Sequence, residues 1–209
     1  VENGRNIIIP IEQYGVQLMS IGFLTPAEDA VVWRGPMASS ALKQFISDTK
    51  WNDLDYLLVD LPPGTSDIHL TLVQTIPVTG VVIVTTPQKV ALADALKGLA
   101  MFKQPQINVP ILGIVENMAF FTPQELPNYK YFIFGEEGGI KFAKKNSVAF
   151  LGQIPIVQSI RESSDDGYPA VMTDGIVAKA YIELAAELAR QVAIRNAKRD
   201  KTKVIEVTV

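Results

Sequence analysis

Apolar runs and helical repeats alternate along most of the chain. Runs such as GVVIVTTP (80–87) are almost wholly apolar, which is typical of strands buried on both faces of a sheet. The longer segments between them place apolar residues three and four positions apart, which predicts amphipathic helices. This alternation indicates βαβ units, and therefore an α/β fold with a doubly wound, mainly parallel sheet. The predicted strands are residues 16–23, 54–61, 80–87, 109–118 and 148–155, and the predicted helices are residues 35–50, 88–104 and 174–198, with a shorter helix N-capped by Asp67.

Residues 119–137 interrupt the alternation. The stretch AFFTPQELPNYKYFIFGEE holds two prolines and several aromatic side chains, and it fits neither the strand period nor the helix period. An irregular segment of this length in a compact domain is usually functional or part of an interface. The end of the chain, residues 199–209, is charged and then β-prone, and it is expected to be either a disordered tail or an edge strand.

Composition and charge exclude several classes of function. The 209 residues carry a net charge of −3, so no basic face for nucleic acid is expected. No apolar run approaches the roughly 20 residues that span a bilayer, and no leader-like segment opens the chain, so a cytoplasmic protein without membrane contact is predicted. Because the chain contains no cysteine, its own residues cannot form disulfides or ligate an iron–sulfur cluster through thiolates.

Polar residues follow several predicted strands, at the edge where open parallel sheets bind ligands. Asp60 ends the run YLLVD, Thr85-Thr86-Pro87 ends the next strand, and Asn117 follows another. Pro155 opens a polar loop after the last predicted strand. A carboxylate at a strand end can hold Mg²⁺ beside phosphates, and an asparagine amide can pair with a base edge. Taken singly, these signals are weak, because an aspartate or asparagine at a strand end is more often a turn residue, a helix cap or a partner of the backbone than a ligand-binding residue.

The order of these segments resembles the Mrp/ApbC family of MinD/ParA-like P-loop ATPases, which act as iron–sulfur cluster carriers. The resemblance covers roughly residues 11–195. Its segments are, in order, the strand VQLMSIGF, then VVWRGPMASSALKQF, YLLVDLPPGTSD, VTTPQKVALADALKG, GIVENMAFF, FGEEGG and LGQIPIVQSIRESSDDGYP.

The resemblance implies an ATP-binding and ATP-hydrolysing protein, typically a homodimer, that uses Mg²⁺ and delivers clusters to iron–sulfur apo-proteins. Asp60 corresponds to the family's catalytic Walker B aspartate, which positions Mg²⁺ through water, and LPPGTSD after it corresponds to switch II. Asn117 matches the asparagine that reads the adenine ring, and the loop through Pro155 and Ile156 matches the one that closes over the base. The segment RGPM (34–37) matches one expected near the dimer interface.

The chain departs from the family pattern in its phosphate loop. None of its 14 glycines is followed by lysine, so the Gly-Lys-Ser/Thr loop that cradles phosphates is absent. We expect that loop to precede Val1 in a longer polypeptide. Residues 1–198 would then be the C-terminal portion of a single ATPase domain, with 199–209 as a tail, and this chain alone would be inactive.

A second departure concerns the cluster site. Many relatives carry Cys-x-x-Cys shortly after Glu-Asn-Met, and two such pairs across a dimer can hold a 4Fe-4S cluster. Here the same place offers the hard oxygen ligands of Thr122, Gln124, Glu125 and Asn128, which suit Mg²⁺ or Ca²⁺ better than a cluster. A cluster would therefore need cysteines elsewhere in the full chain or on a partner.

Two other interpretations stay open at this point. One is a MinD/ParA-like regulatory or positioning ATPase without cluster binding, which the missing cysteines favour, and whose basic helix end RQVAIRNAKRDK could touch a membrane surface. The other is a dimeric scaffold that docks a partner through Phe120, Phe121 and Tyr129 of the aromatic insertion.

Overall fold

The computed structural model describes residues 7–24, 35–123, 125–126 and 128–205. These residues form a two-stranded sheet and a larger, three-stranded parallel sheet. The chain divides into two units, one of Val1–Pro77 with Lys203–Val209 and one of Val78–Thr202. Whether residues 1–198 belong to one ATPase domain stays a prediction.

The first unit begins with a β-hairpin instead of the parallel strand predicted over residues 16–23. Strand β1 (Ile11–Gln13) pairs antiparallel with β2 (Val16–Leu18). Tyr14 and Gly15 between them both have positive φ, 52° and 74°, which is the backbone of a two-residue hairpin turn. The chain then forms a short 3₁₀ turn over Ile21–Phe23. The prediction was wrong because it overlooked this turn, which reverses the chain before the strand can join a parallel sheet.

Two helices complete the regular structure of the first unit. Helix α1 (Gly35–Ser47) confirms the predicted helix, with Pro36 in its first turn, and helix α2 (Asp67–Thr75) packs against it. The Thr71 hydroxyl donates to the Ser39 hydroxyl at 3.0 Å across that contact. The N-cap of α2 is Ser66 and not Asp67, so the predicted cap was placed one residue too late.

Residues 54–61 form neither a helix nor a strand, contrary to the prediction of a strand buried on both faces. Tyr56, Leu57 and Leu58 are exposed, Leu58 by 82%. A central strand is buried only when strands flank it on both sides, and among the described residues no strand pairs with this segment. The segment is as apolar as a central strand requires, but no strand that would flank it lies beside it among the described residues.

Among the described residues, the second unit contains the sheet, four α-helices and a short 3₁₀ turn at Ala170–Met172. Strands β3 (Val81–Thr85), β4 (Ile111–Glu116) and β5 (Phe150–Gln153) pair in parallel in the order β3-β4-β5. They confirm the three strands predicted over residues 80–87, 109–118 and 148–155. The helices are α3 (Lys89–Phe102), α4 (Gly138–Lys145), α5 (Gln158–Asp165) and α6 (Ile176–Lys198), of which α3 and α6 confirm predictions.

Helices cover both faces of this sheet. On one face, Ile83 and Ile114 pack with Leu99 of α3 and Phe142 of α4. On the other face, α6 lays Tyr181, Leu184 and Leu188 over a cluster that includes Val115 and Leu151. Successive strand residues thus bury their side chains on opposite faces, as the apolar runs predicted. The long helix packs across the sheet as expected, and the unit has the predicted doubly wound α/β architecture.

Candidate functional site

The carboxyl ends of the three strands lie side by side. Thr85, the last residue of β3, is in register with Glu116 at the end of β4, and Glu116 is in register with Gln153 at the end of β5. This edge is where open parallel sheets bind their ligands. Three residues that were predicted to lie beside the adenine base, Asn117, Pro155 and Ile156, follow the ends of β4 and β5 in sequence, and we call them the base-side residues.

Asn117 is the first residue beyond β4. Its backbone N–H donates to the Thr85 carbonyl at 2.8 Å, and its side-chain Oδ1 accepts from the Met118 N–H at 2.9 Å. Met118 has a positive φ of 54°, which turns the chain sharply after the asparagine. Among the hydrogen bonds of the described residues, the Asn117 amide nitrogen takes part in none. Its two N–H groups are therefore available to a ligand on this half-buried side chain.

Pro155 and Ile156 lie on the segment next to Asn117. The pairing of β4 and β5 continues past both strand ends, since Ala119 N–H donates to the Ile154 carbonyl at 3.0 Å and Ile156 N–H donates to Phe120 at 2.7 Å. Pro155 is buried and Ile156 half-buried. The structure thus brings the three predicted base-side residues onto two adjoining segments of the second unit.

Glu116 is a central residue of this edge that sequence reasoning named only as the neighbour of Asn117. Its side chain is fully buried. One carboxylate oxygen accepts from the Gln153 side-chain amide at 2.7 Å, and the other accepts from the backbone N–H of Gly139. The carboxylate therefore joins the end of β4 to β5 and to the first turn of α4.

The glycine pair at the start of α4 allows this close approach. A Cβ on Gly139 would lie 2.8 Å from the nearer Glu116 carboxylate oxygen, and a Cβ on Gly138 would lie 2.7 Å from the Pro87 Cα. Both distances are shorter than real side chains tolerate. The segment FGEEGG, noted in the sequence, thus includes the two glycines that seat α4 against the ends of β3 and β4.

Asp60 lies in the first unit, in the exposed segment described above. Its carboxylate is exposed, and the described residues contain no group of three or more His, Cys, Asp or Glu side chains that could hold a metal ion. Mg²⁺ keeps several waters and is usually bound through one or two carboxylates together with substrate phosphates. A single accessible aspartate fits that mode and does not fit a metal site built from protein side chains alone.

Some side chains of the aromatic insertion, residues 119–137, are buried in the protein core. Phe120 is buried, packs edge-on against Phe132 with centroids 6.5 Å apart, and has the Lys130 ammonium 4.0 Å from its ring centre. Phe121 exchanges two backbone hydrogen bonds with Tyr131. Only Tyr129, of the three proposed docking side chains, is strongly exposed, at 61%. Arg34, which was predicted to lie near the dimer interface, and Gln124, one of the possible oxygen ligands in the insertion, lie outside the described residues.

No helix in the part of the chain that the structure describes is long and apolar enough to cross a membrane.

Two solved structures share this architecture. A nucleotide-binding protein from Archaeoglobus fulgidus, in complex with ADP, matches with a TM-score of 0.63 and 34% sequence identity, over 78% of this chain and 62% of that one. The cell division ATPase MinD of Pyrococcus furiosus matches with a TM-score of 0.52 and 23% identity, over 75% of this chain and 59% of that one. The second match concerns the fold alone. Together they confirm the predicted MinD/ParA-like fold.

Curated relatives are similar over most of the chain. The iron–sulfur cluster transfer protein NUBPL of Dictyostelium discoideum is 47% identical over 201 residues, which are 95% of this chain and 61% of that protein. The iron–sulfur cluster carrier protein of Aquifex aeolicus is 47% identical over 189 residues, which are 88% of this chain and 51% of that protein. The chain thus spans only about half to three fifths of the length of these two relatives.

A family model agrees with these similarities and with the resemblance seen in the sequence. The model described as ParA, the NUBPL iron-transfer P-loop NTPase, matches residues 1–192. The chain therefore belongs to the family of NUBPL iron-transfer P-loop NTPases.

Proposed function

We propose that this chain supplies the metal-side and adenine-side half of the ATP site in an ATP-hydrolysing iron–sulfur cluster carrier. The observation that carries the proposal is the shared edge of β4 and β5, which seats Asn117 beside Pro155 and Ile156. The family, the names of the relatives and the ADP bound by the Archaeoglobus protein support it.

Each residue has a distinct role in this proposal. The free amide N–H groups of Asn117 donate to the adenine N1, an acceptor that guanine lacks because its N1 carries a hydrogen. The half-buried Ile156, in the segment that Pro155 opens, offers apolar contact to the base. Asp60 orients the waters of a bound Mg²⁺, which would offset the negative charge of the phosphate oxygens. The backbone N–H groups and lysine that cradle the phosphates come from outside the 209 residues, because these contain no phosphate loop.

The cluster is cargo in this proposal. With no cysteine, the chain cannot ligate it through thiolates, so cysteines elsewhere in the full polypeptide or on a partner must do so. We propose a homodimer that delivers clusters to apo-proteins in the cytoplasm. The alternative of a regulatory or positioning ATPase is not favoured by the names of the relatives, which are transfer and carrier proteins.

Hydrolysis by the full-length polypeptide tests the metal side. Asp60→Ala is expected to abolish Mg-dependent ATP turnover because it removes the carboxylate that orients the metal's water shell. Asp55→Ala is the matched control, since Asp55 is an exposed aspartate of the same segment, and it is expected to keep normal turnover. Unchanged turnover in the Asp60 variant would remove Asp60 from the proposal.

Nucleotide selectivity tests the base side. Asn117→Ala is expected to reduce the preference for ATP over GTP by about tenfold, the effect of losing one or two net hydrogen bonds. The exposed Asn128 provides a matched control, and Asn128→Ala should keep the selectivity of the unchanged protein. Calorimetric Kd values for both nucleotides measure the ratio. A ratio that Asn117→Ala leaves unchanged would refute adenine recognition by this residue.

A further inference from the structure

Glu116 is a buried carboxylate without a positive partner. Its side chain is inaccessible to solvent, and it forms no ion pair among the described residues. Burying a charged group is unfavourable unless hydrogen bonds replace its water shell. Here two donors do so from different elements, the Gly139 backbone N–H and the Gln153 side-chain amide. A glutamate at this position therefore does what an apolar residue could not do, because it accepts hydrogen bonds from two elements at once.

The first turn of α4 explains why an acceptor is needed there. The opening N–H groups of a helix have no partner within the helix, and the helix dipole favours a negative charge beside them. The N-cap residue of α4, Glu137, makes no side-chain capping bond. Glu116, from the end of a strand, accepts instead from Gly139. The carboxylate thus serves as a cap that is supplied through tertiary structure.

Glu116 also lies between Asn117 and the 154–156 segment, which together form the base-side edge of the sheet. Its carbonyl accepts from the Ile154 N–H at 2.9 Å, and the next residue, Asn117, donates to Thr85. Its side chain bonds to Gln153, two residues before Pro155. A shift of Glu116 would therefore move Asn117 and the 154–156 segment relative to each other.

We propose that Glu116 is a positioning residue for base recognition: its carboxylate fixes Asn117 against the Pro155–Ile156 segment without touching the nucleotide. The inference rests on the proposed function, because it assigns a further residue to the same site. It requires an acceptor on both sides of residue 116, since two donors face it. A carboxylate provides this with its two oxygens. A glutamine provides it only when the Gln153 amide rotates, so that the Gln153 oxygen accepts from the new NH₂ group.

The required hydrogen-bond pattern suggests a pair of variants at position 116. In full-length protein, Glu116→Met is close to glutamate in size and removes both acceptors. Glu116→Gln can keep both bonds, because its oxygen accepts from Gly139 and its NH₂ group donates to the side-chain oxygen of Gln153 after the Gln153 amide has rotated. The two variants therefore separate a requirement for the hydrogen bonds from a requirement for the charge at position 116.

The expected results are kinetic as well as structural. Glu116→Met should raise the ATP KM about tenfold and lower the ATP-over-GTP preference by a similar factor, while kcat stays within about twofold. Glu116→Gln should keep most of both. Glu137→Gln is the matched control, because this glutamate is 53% exposed at the start of the same helix, and it should behave as the unchanged protein.

The outcomes separate this inference from the proposed function. If neither Asn117→Ala nor Glu116→Met alters the preference for ATP, the proposed adenine recognition fails, and the positioning role fails with it. If only Asn117→Ala alters it, adenine recognition stands and the positioning role is overturned. A purely structural role would also overturn it: Glu116→Met would lower Tm, Glu116→Gln would keep the Tm of the unchanged protein, and selectivity would not change in either variant.

A milder variant covers the case in which Glu116→Met does not fold. Gln153→Ala removes one donor from a half-buried side chain and leaves the carboxylate bonded to Gly139. It is expected to raise the ATP KM about threefold, with a matching loss of selectivity. A folded Gln153→Ala protein with unchanged selectivity would overturn the inference.

Discussion

Replacing Gly139 by alanine tests the packing that joins α4 to the end of β4. Gly139 is helical, and alanine is normally the better helix residue by about 0.5–1 kcal/mol. At this position, however, the new Cβ would lie 2.8 Å from a Glu116 carboxylate oxygen and 2.9 Å from the Glu116 Cβ. Helix propensity and side-chain packing therefore predict changes of opposite sign in the free energy of unfolding.

The packing effect should be the larger. Forcing an extra carbon into a well-packed site typically destabilises a protein by about 1–3 kcal/mol. Glu116 cannot retreat without weakening its bonds to Gly139 and Gln153, and a buried polar group left unsatisfied adds about 1–3 kcal/mol. After subtracting the gain in helix propensity, Gly139→Ala is expected to lower the free energy of unfolding by about 1–5 kcal/mol.

Two other helical glycines provide the comparison. A Cβ on Gly98, within α3, would have only the Ile83 Cδ1 nearby, at 4.0 Å, so Gly98→Ala should stabilise the protein by about 0.5–1 kcal/mol. A Cβ on Gly138 would meet backbone atoms of Pro87, including its Cα at 2.7 Å, and backbone yields less readily than a side chain. Gly138→Ala should therefore be at least as destabilising as Gly139→Ala.

Urea denaturation of the three variants measures these differences as shifts in midpoint at constant slope. The order of stability should be Gly98→Ala, unchanged protein, Gly139→Ala and then Gly138→Ala. If Gly139→Ala were stabilising to the same degree as Gly98→Ala, the close contact with Glu116 would be refuted, and with it the physical basis for the glycine pair.

Further variants test the core and the aromatic insertion by the same assay. Ile114→Ala, at a fully buried position of β4, should cost about 2–5 kcal/mol, whereas Val84→Ala on β3, where the side chain is 61% exposed, should change stability by less than about 0.5 kcal/mol. Phe120→Ala should cost about 3–5 kcal/mol because its ring is buried, and a smaller loss would mean that the insertion is not part of the core. Tyr129→Ala should leave stability within about 0.5 kcal/mol and lower self-association, measured by light scattering, if the exposed ring docks a partner copy; unchanged association would remove that role.

The sequence predicted the second unit well because its pattern is local. Uniform apolar runs identified β3, β4 and β5, and spacings of three and four identified α3 and α6. The first unit was predicted less well. The hairpin depends on two residues, Tyr14 and Gly15, that lie between weak strand signals. The run at 54–61 is apolar enough for a central strand, yet strand formation depends on neighbours that a local pattern does not contain.

Asn117 and Pro155 were noted because they lie at the ends of predicted strands, and Ile156 was added through the family resemblance; the role of all three beside a base stays a prediction. Glu116 was not singled out, since a glutamate at a strand end is most simply explained as a solvent-exposed side chain. Its partner Gly139 lies 23 residues further along the chain, so no local period connects them. The available signal was the Gly-Gly pair at the start of a helix, where glycine is unfavourable unless another group approaches closely.

The way the base-side edge is held together determines which kinetic constant its variants should change. Asn117 and the 154–156 segment are fixed by backbone hydrogen bonds between the continuations of β4 and β5, and by the carboxylate of Glu116. These contacts exist without a ligand, so a base would meet groups that are already ordered, and little conformational entropy would be lost on binding. Loosening the edge introduces that ordering penalty for the bound nucleotide as a whole. Because the edge does not contact the reacting phosphates in the proposed arrangement, the penalty falls equally on the ground state and the transition state. It should therefore raise KM and leave kcat nearly unchanged.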